Sequence, residues 1–130
     1  MSGFEYPAME DALYFCERAG LYIRDPGALD SALARPASVV WGTEAYEGIH
    51  LKGAALLDAL SRSHPLLDGN KRLSWTMVDV FYDLNGYRLT VDPVEGDAFV
   101  RTVGGDHLEL EDIATWLEAH SASVRGAAAP

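Results

Sequence analysis

A chain of 130 residues, 48% of them hydrophobic, has enough apolar material for one domain with a real core and no structural metal. Its one cysteine, Cys16, excludes an internal disulfide framework and any zinc cluster built on cysteine pairs, which fits a reducing cytoplasm. Ten basic residues against twenty acidic ones leave a net charge of −10, and an acidic surface repels phosphate backbones, so general nucleic-acid binding is disfavoured.

The opening residues, MSGFEYPAMED, carry neither a basic region nor an apolar stretch, so no signal peptide is expected there. No apolar run is long enough to span a bilayer, and a membrane association is not expected. Met9, Ala12, Leu13 and Cys16 then recur at helical spacing and predict a helix from Ala8 to about Arg18, with Cys16 as a packed thiol. A second helix follows in RDPGALDSALARP, where Asp25 is a good N-cap, Pro26 suits the first helical position and Pro36 ends the element after Arg35. ASVVWGTEAY is β-branched and aromatic around a glycine, and reads as an extended stretch or short hairpin. From about Tyr46 to Arg62 apolar Ile49, Leu56, Leu57 and Leu60 alternate with small Gly53, Ala54 and Ala55, predicting a helix that can approach its neighbours closely.

Pro65 breaks that helix. The next runs from Asn70 to Leu84 with Leu73, Met77, Val80 and Leu84 on one stripe, and LNGY stops it at Gly86. Two more helical segments fall at about Pro93–Thr102 and Glu109–His120. The reading is therefore all-α, with a single domain over residues 1–121 and a small-residue tail, 122–130, expected to be disordered.

Between the two central helices lies HPLLDGNKR, His64 to Arg72, and four of the ten cations (Lys52, Arg62, Lys71, Arg72) fall in or just before it. A helix that starts near Asn70 leaves its first N–H groups unpaired, and with the helix dipole they form an anion site. Gly69 removes the side chain that would keep a phosphate from the backbone, while Lys71 and Arg72 add charge. Asn70 either bonds phosphate or braces the loop. Asp68, a carboxylate beside that cradle, suits a magnesium ion shared with substrate oxygens. A neutral imidazole can accept a proton, and His64 is the candidate base for a hydroxyl proton. A His-Pro stop followed by an Asp-Gly-Asn start is also ordinary helix–turn vocabulary. Two consecutive cations at a helix start, where the dipole disfavours positive charge, tip the reading toward transfer of a phosphorus group.

These nine residues resemble the Fic-fold signature H-P-F-x-[DE]-G-N-[GK]-R, and lysine at position 71 is similar to the death-on-curing (Doc) branch. IRDPGALDSALARP, KGAALLDALSRSHPLLDGNKR and LNGYRL fall in the order of Doc-like proteins over roughly residues 20–120. The resemblance implies a Fic/Doc-type helical bundle, ATP as co-substrate and magnesium. It makes His64 the general base, Asp68 the metal ligand, and Gly69, Asn70, Lys71 and Arg72 the anion hole. Arg62 matches a basic position that binds nucleotide or target, and the stretch around Val39–Tyr46 becomes a flap that holds the target segment. Doc-like toxins are kinases of elongation factor Tu and are held by a small antitoxin whose helix fills a groove; Fic enzymes proper transfer AMP. A catalytically idle binding module is the reading from another class.

The chain departs from the pattern at four places. Leu66 replaces phenylalanine, Leu73 and Ser74 replace Thr-Ala, and Trp75 stands where AMP-transferring members have a second arginine. That last change favours the kinase over AMP transfer. TEAYEG, Thr43 to Gly48, matches the degenerate [ST]-x-x-x-E-[GN] pattern of inhibitory helices, but it lies in the flap. Trp41, Tyr46 and Trp75 are expected mostly in the core, and His50, His107 and His120 on the surface.

Overall fold

The computed structural model describes residues 3–105 and 108–124. Six helices order the described chain: α1 (Met9–Ala19), α2 (Pro26–Ala34), α3 (Gly48–Ser63), α4 (Asn70–Leu84), α5 (Pro93–Gly105) and α6 (Leu110–Ala119). One short hairpin, β1 (Val39–Val40) with β2 (Thr43–Glu44), and one antiparallel pair of strands distant in sequence, β3 (Tyr87–Leu89) with β4 (Ser121–Ser123), accompany them. Among the described residues no helix is long and apolar enough to cross a membrane.

The local chemistry of the termini sets these bounds. Asp25 caps α2 by accepting the Ala28 N–H at 3.0 Å, with Pro26 in the first turn. Asp11 accepts the Ala8 N–H at 2.7 Å and tightens the start of α1, and Gly20 ends that helix in the left-handed region. Pro36 does not simply stop α2: Arg35–Ala37 continue as a 3-10 turn, which needs no N–H from the proline at that point.

Helix α3 is the centre of the molecule and meets α2, α4, α5 and α6. Its small residues make this possible. A Cβ added at Gly53 would lie 2.8 Å from the Tyr82 ring, so the α3 backbone packs directly against that ring of α4. Leu56, Leu57, Leu60, Leu73, Val78, Phe81 and Leu117 are fully buried around this axis, and the Cys16 thiol, also buried, is pushed up by desolvation.

Three expectations are corrected here. The chain does not leave the fold after residue 121, because Ser121–Ser123 pairs antiparallel with Tyr87–Leu89. The Thr90 N–H to His120 carbonyl bond (2.7 Å) and the Val124 N–H to Gly86 carbonyl bond (2.9 Å) flank that ladder. Ser-Ala-Ser has little strand propensity of its own, and β3 supplies the backbone partners that order it. Residues 125–130 lie outside the described residues. His50 and His120 are half-buried rather than surface groups. His120 stacks on Trp116 with ring centres 3.8 Å apart, and its Nδ1 lies 2.7 Å from the Trp116 carbonyl. His50 Nδ1 lies 2.8 Å from the Tyr82 hydroxyl. His107 lies outside the described residues.

Burial lowers the His50 pKa below its ordinary value, against a smaller opposing pull from Glu118. The folded state then binds fewer protons than the unfolded chain, whose histidine titrates near pH ~6.5. The His50 contribution is therefore complete above that pH and is lost as pH falls through the unfolded and then the folded pKa. Melts taken between about pH 7.5 and 5.5 are expected to drop more steeply for the wild type than for His50→Gln. Parallel slopes would show that His50 is solvated in the folded protein.

Candidate functional site

His64 closes α3 in the left-handed conformation, φ 46° and ψ 58°, and its side chain is exposed. Only Trp41 shares a positive φ among the described non-glycine residues. Such a backbone costs an L-residue roughly 1–2 kcal/mol and persists only where neighbours determine it. Here the determinant is the segment before α2. The Arg24 guanidinium donates to the His64 carbonyl at 2.5 Å, the Arg24 and Asp25 N–H groups donate to the Pro65 carbonyl at 2.8 and 3.0 Å, and the Leu67 N–H donates to the Tyr22 carbonyl at 3.0 Å. Leu66, in place of phenylalanine, is fully buried between these contacts and forms a bridge with Ile23. The loop's backbone is tied down while the imidazole is left in solvent.

The other half of the loop is shaped by its own side chains. Asn70 Oδ1 accepts the Leu66 N–H at 2.8 Å and its Nδ2 donates to the Leu66 carbonyl at 3.0 Å, so the amide braces the loop. Asp68 is exposed, and its Oδ1 accepts the Gly69 N–H at 2.9 Å. Gly69 precedes α4 at φ 88°, and a Cβ there would lie 2.8 Å from a Leu21 methyl. No side chain caps α4, so the first-turn amides from Asn70 onward remain open to an anion.

The two motif cations diverge. Lys71 Nζ pairs with Asp97 Oδ1 of α5 at 2.7 Å, and Arg101 holds the other Asp97 oxygen at 2.7 Å. Those two bonds, from Arg101 first and Lys71 second, lower the Asp97 pKa. Arg72 is exposed and has no ion-pair partner among the described residues. Both cations line a cavity of about 420 Å³ whose walls include Phe15, Trp75, Val91, Pro93 and Val100, a size in the range of small-molecule sites. His64, Asp68, Gly69, Asn70 and Arg62 do not line it.

Lys52 is removed from the cation cluster altogether. It is fully buried and pairs with Glu44 of β2. Arg62 instead lies two residues before His64, with Nε on Asp58 Oδ1 at 2.6 Å and its side chain partly exposed. Asp58 was not singled out from sequence, yet it is buried and bridges two arginines, its Oδ2 taking Arg35 Nη1 at 2.8 Å. Arg35 Nε in turn donates to the Tyr46 hydroxyl at 3.0 Å. An acid four residues before an arginine on a helix was the available signal.

The expected hairpin forms, with Val39 opposite Glu44 and Val40 opposite Thr43. Trp41 is not a core residue: at the hairpin tip, with Gly42 also at positive φ, it is 98% exposed. TEAYEG runs through β2 into the start of α3 and forms no separate helix. Trp75 is half-buried and meets Trp116 edge-on, with ring centres 6.2 Å apart.

Among the described residues no cluster of three His, Cys, Asp or Glu groups could cage a metal. Asp68 alone fits magnesium in the mode where substrate phosphates and water complete the shell.

A helical bundle whose two central helices are joined by this loop is the architecture of the Fic/DOC family, and the family's sequence profile matches residues 7–82. The chain belongs to the Fic/DOC family. It is similar to Toxin Doc of Mycolicibacterium smegmatis, with 37% identity over 107 residues, covering 81% of this chain and 82% of that protein.

Proposed function

We propose that the protein is the toxin of a toxin–antitoxin pair and acts as a magnesium-dependent kinase, moving the γ-phosphoryl group of ATP to a hydroxyl of a translation protein such as elongation factor Tu. The observation that carries this reading is the exposed His64 held on a tied-down loop beside the uncapped start of α4. The hydroxyl oxygen bonds to the γ-phosphorus as the bond to the ADP oxygen breaks, and His64 takes the hydroxyl proton. Open amides at the start of α4, with Arg72 and Lys71, bind the phosphate oxygens; Lys71 exchanges Asp97 for phosphate or holds both. Asp68 would hold magnesium, and the ion would supply positive charge to the phosphates. Asn70 keeps the loop in shape, and Arg62 orients nucleotide or target from the last turn of α3.

Trp75 favours phosphoryl over AMP transfer, because a tryptophan locked against Trp116 puts no cation on that part of the cradle. The partner on this reading is a small cytoplasmic antitoxin whose helix fills an apolar groove, as the likeness to Toxin Doc suggests.

Incubation with elongation factor Tu and ATP labelled at one phosphorus tests the reaction. Transfer of the γ-label is expected; transfer of the α-label would make the protein an AMP transferase, and no transfer to any lysate protein would contradict both. Two substitutions separate the roles. Arg72→Ala is expected to weaken nucleotide binding by roughly 1.5–3 kcal/mol, about ten- to a hundredfold, with rate falling alongside. Asp68→Asn should mainly raise the magnesium concentration needed for half-maximal rate, since an amide is no anionic ligand. An unchanged magnesium titration would remove Asp68 from the metal site.

A further inference from the structure

A lysine with no solvent exposure is rare, because an ammonium loses its hydration on burial and needs other oxygens to replace it. Lys52 has them. Its Nζ lies 2.5 Å from Glu44 Oε1, 2.6 Å from the Tyr46 carbonyl and 3.5 Å from the Pro36 carbonyl, as many acceptors as an ammonium has hydrogens. The Phe4 ring covers it from the N-terminal side, 5.6 Å from Nζ to the ring centre.

The origin of these oxygens is informative. Pro36 precedes β1, Glu44 is in β2 and Tyr46 follows β2, so one ammonium grips both ends of the hairpin and joins them to α3. One other tie reaches the hairpin's end from α3, the Arg35 guanidinium that binds Asp58 and the Tyr46 hydroxyl, and the hairpin itself is slight. Its strands are two residues each, Val39, Val40 and Trp41 are exposed, and the Ala45 N–H to Ser38 carbonyl bond (2.9 Å) closes its base. A hairpin that short is marginal without an anchor.

We infer that Lys52 is a positioning residue: its buried ammonium fixes the β1–β2 hairpin on α3 and thereby sets where the hairpin meets a protein substrate. This rests on the kinase reading, in which the hairpin holds the target segment. The ammonium touches no reacting atom. It acts through Glu44 and the two carbonyls.

Glu44→Gln in the full-length chain tests this: the substitution is made at the more exposed partner, and it leaves the buried Lys52 ammonium with neutral acceptors only. Hydrogen exchange is read at Ala45, whose N–H closes the hairpin, and at Leu73, whose N–H bonds the Gly69 carbonyl at the start of α4. Ala45 is expected to exchange about tenfold faster or more, with Leu73 unchanged. In transfer kinetics the KM for the protein target should rise about tenfold while kcat and nucleotide affinity hold, and Glu44→Asp should recover much of it. Unchanged exchange at Ala45 would overturn the inference. So would equal acceleration at both amides, which would make the pair a general support of the fold, or a fall in kcat at constant KM. If the wild type transfers label to no protein, the kinase reading fails, and the Ala45 and Leu73 rates alone decide whether Lys52 fixes the hairpin.

Discussion

His64→Ala is expected to lower turnover by ~10²–10⁴-fold while nucleotide affinity and melting temperature stay close to wild type. The separation follows from how the loop is held. Arg24 binds the His64 carbonyl, not the ring, and alanine keeps that carbonyl. The bonds from Arg24, Asp25 and Leu67 to neighbouring backbone also survive the change. The imidazole projects into solvent, so its loss opens no cavity. If nucleotide affinity falls as far as in Arg72→Ala, or the melt collapses, His64 is a structural residue and the base assignment is wrong.

Gly69→Ala should have the largest effect on stability for so small a change. The alanine must adopt φ 88°, worth roughly 1–2 kcal/mol, and its methyl would sit 2.8 Å from Leu21, an overpacking cost of about 1–3 kcal/mol. Leu21 follows Gly20, the cap of α1, and leads into the segment that ties down the loop, so the strain is passed to the start of α4. Nucleotide affinity should fall together with stability. Gly42→Ala supplies the comparison, since Gly42 has φ 77° but open space around its Cβ position. Denaturant melts should place Gly69→Ala clearly below Gly42→Ala; equal losses would mean that the loop yields to Leu21 at no cost.

The helices were legible because their signals are local. The bounds of α4, Asn70–Leu84, follow from Gly69 before it and Asn-Gly after it, and Asp25-Pro26 marks the start of α2 on the residues themselves. The loop residues were legible for the same reason, being contiguous. What the sequence hid are relations across distance. Strand β4 is ordered by β3, more than thirty residues earlier, and its Ser-Ala-Ser composition carries no sign of it. Lys71 meets Asp97 from α5, a pairing that nothing around either residue marks in the sequence. Lys52 seemed to join a basic cluster because it is close in sequence, but it turns inward to the hairpin. Asn70 shows the limit within a local motif, where phosphate contact and loop bracing were both open and Leu66 decides for bracing. Trp41 was placed in the core on composition, while the turn it forms with Gly42 carries it into solvent.

Transfer of a phosphoryl group by this loop to a protein hydroxyl, with His64 as base, leaves added mass on the target. Mass spectrometry of a bacterial lysate treated with ATP, magnesium and either wild-type protein or His64→Ala tests it most directly. One phosphoryl mass is expected on a serine or threonine of a translation protein, added by the wild type alone. A nucleotide-sized adduct, or equal modification by both proteins, would contradict it.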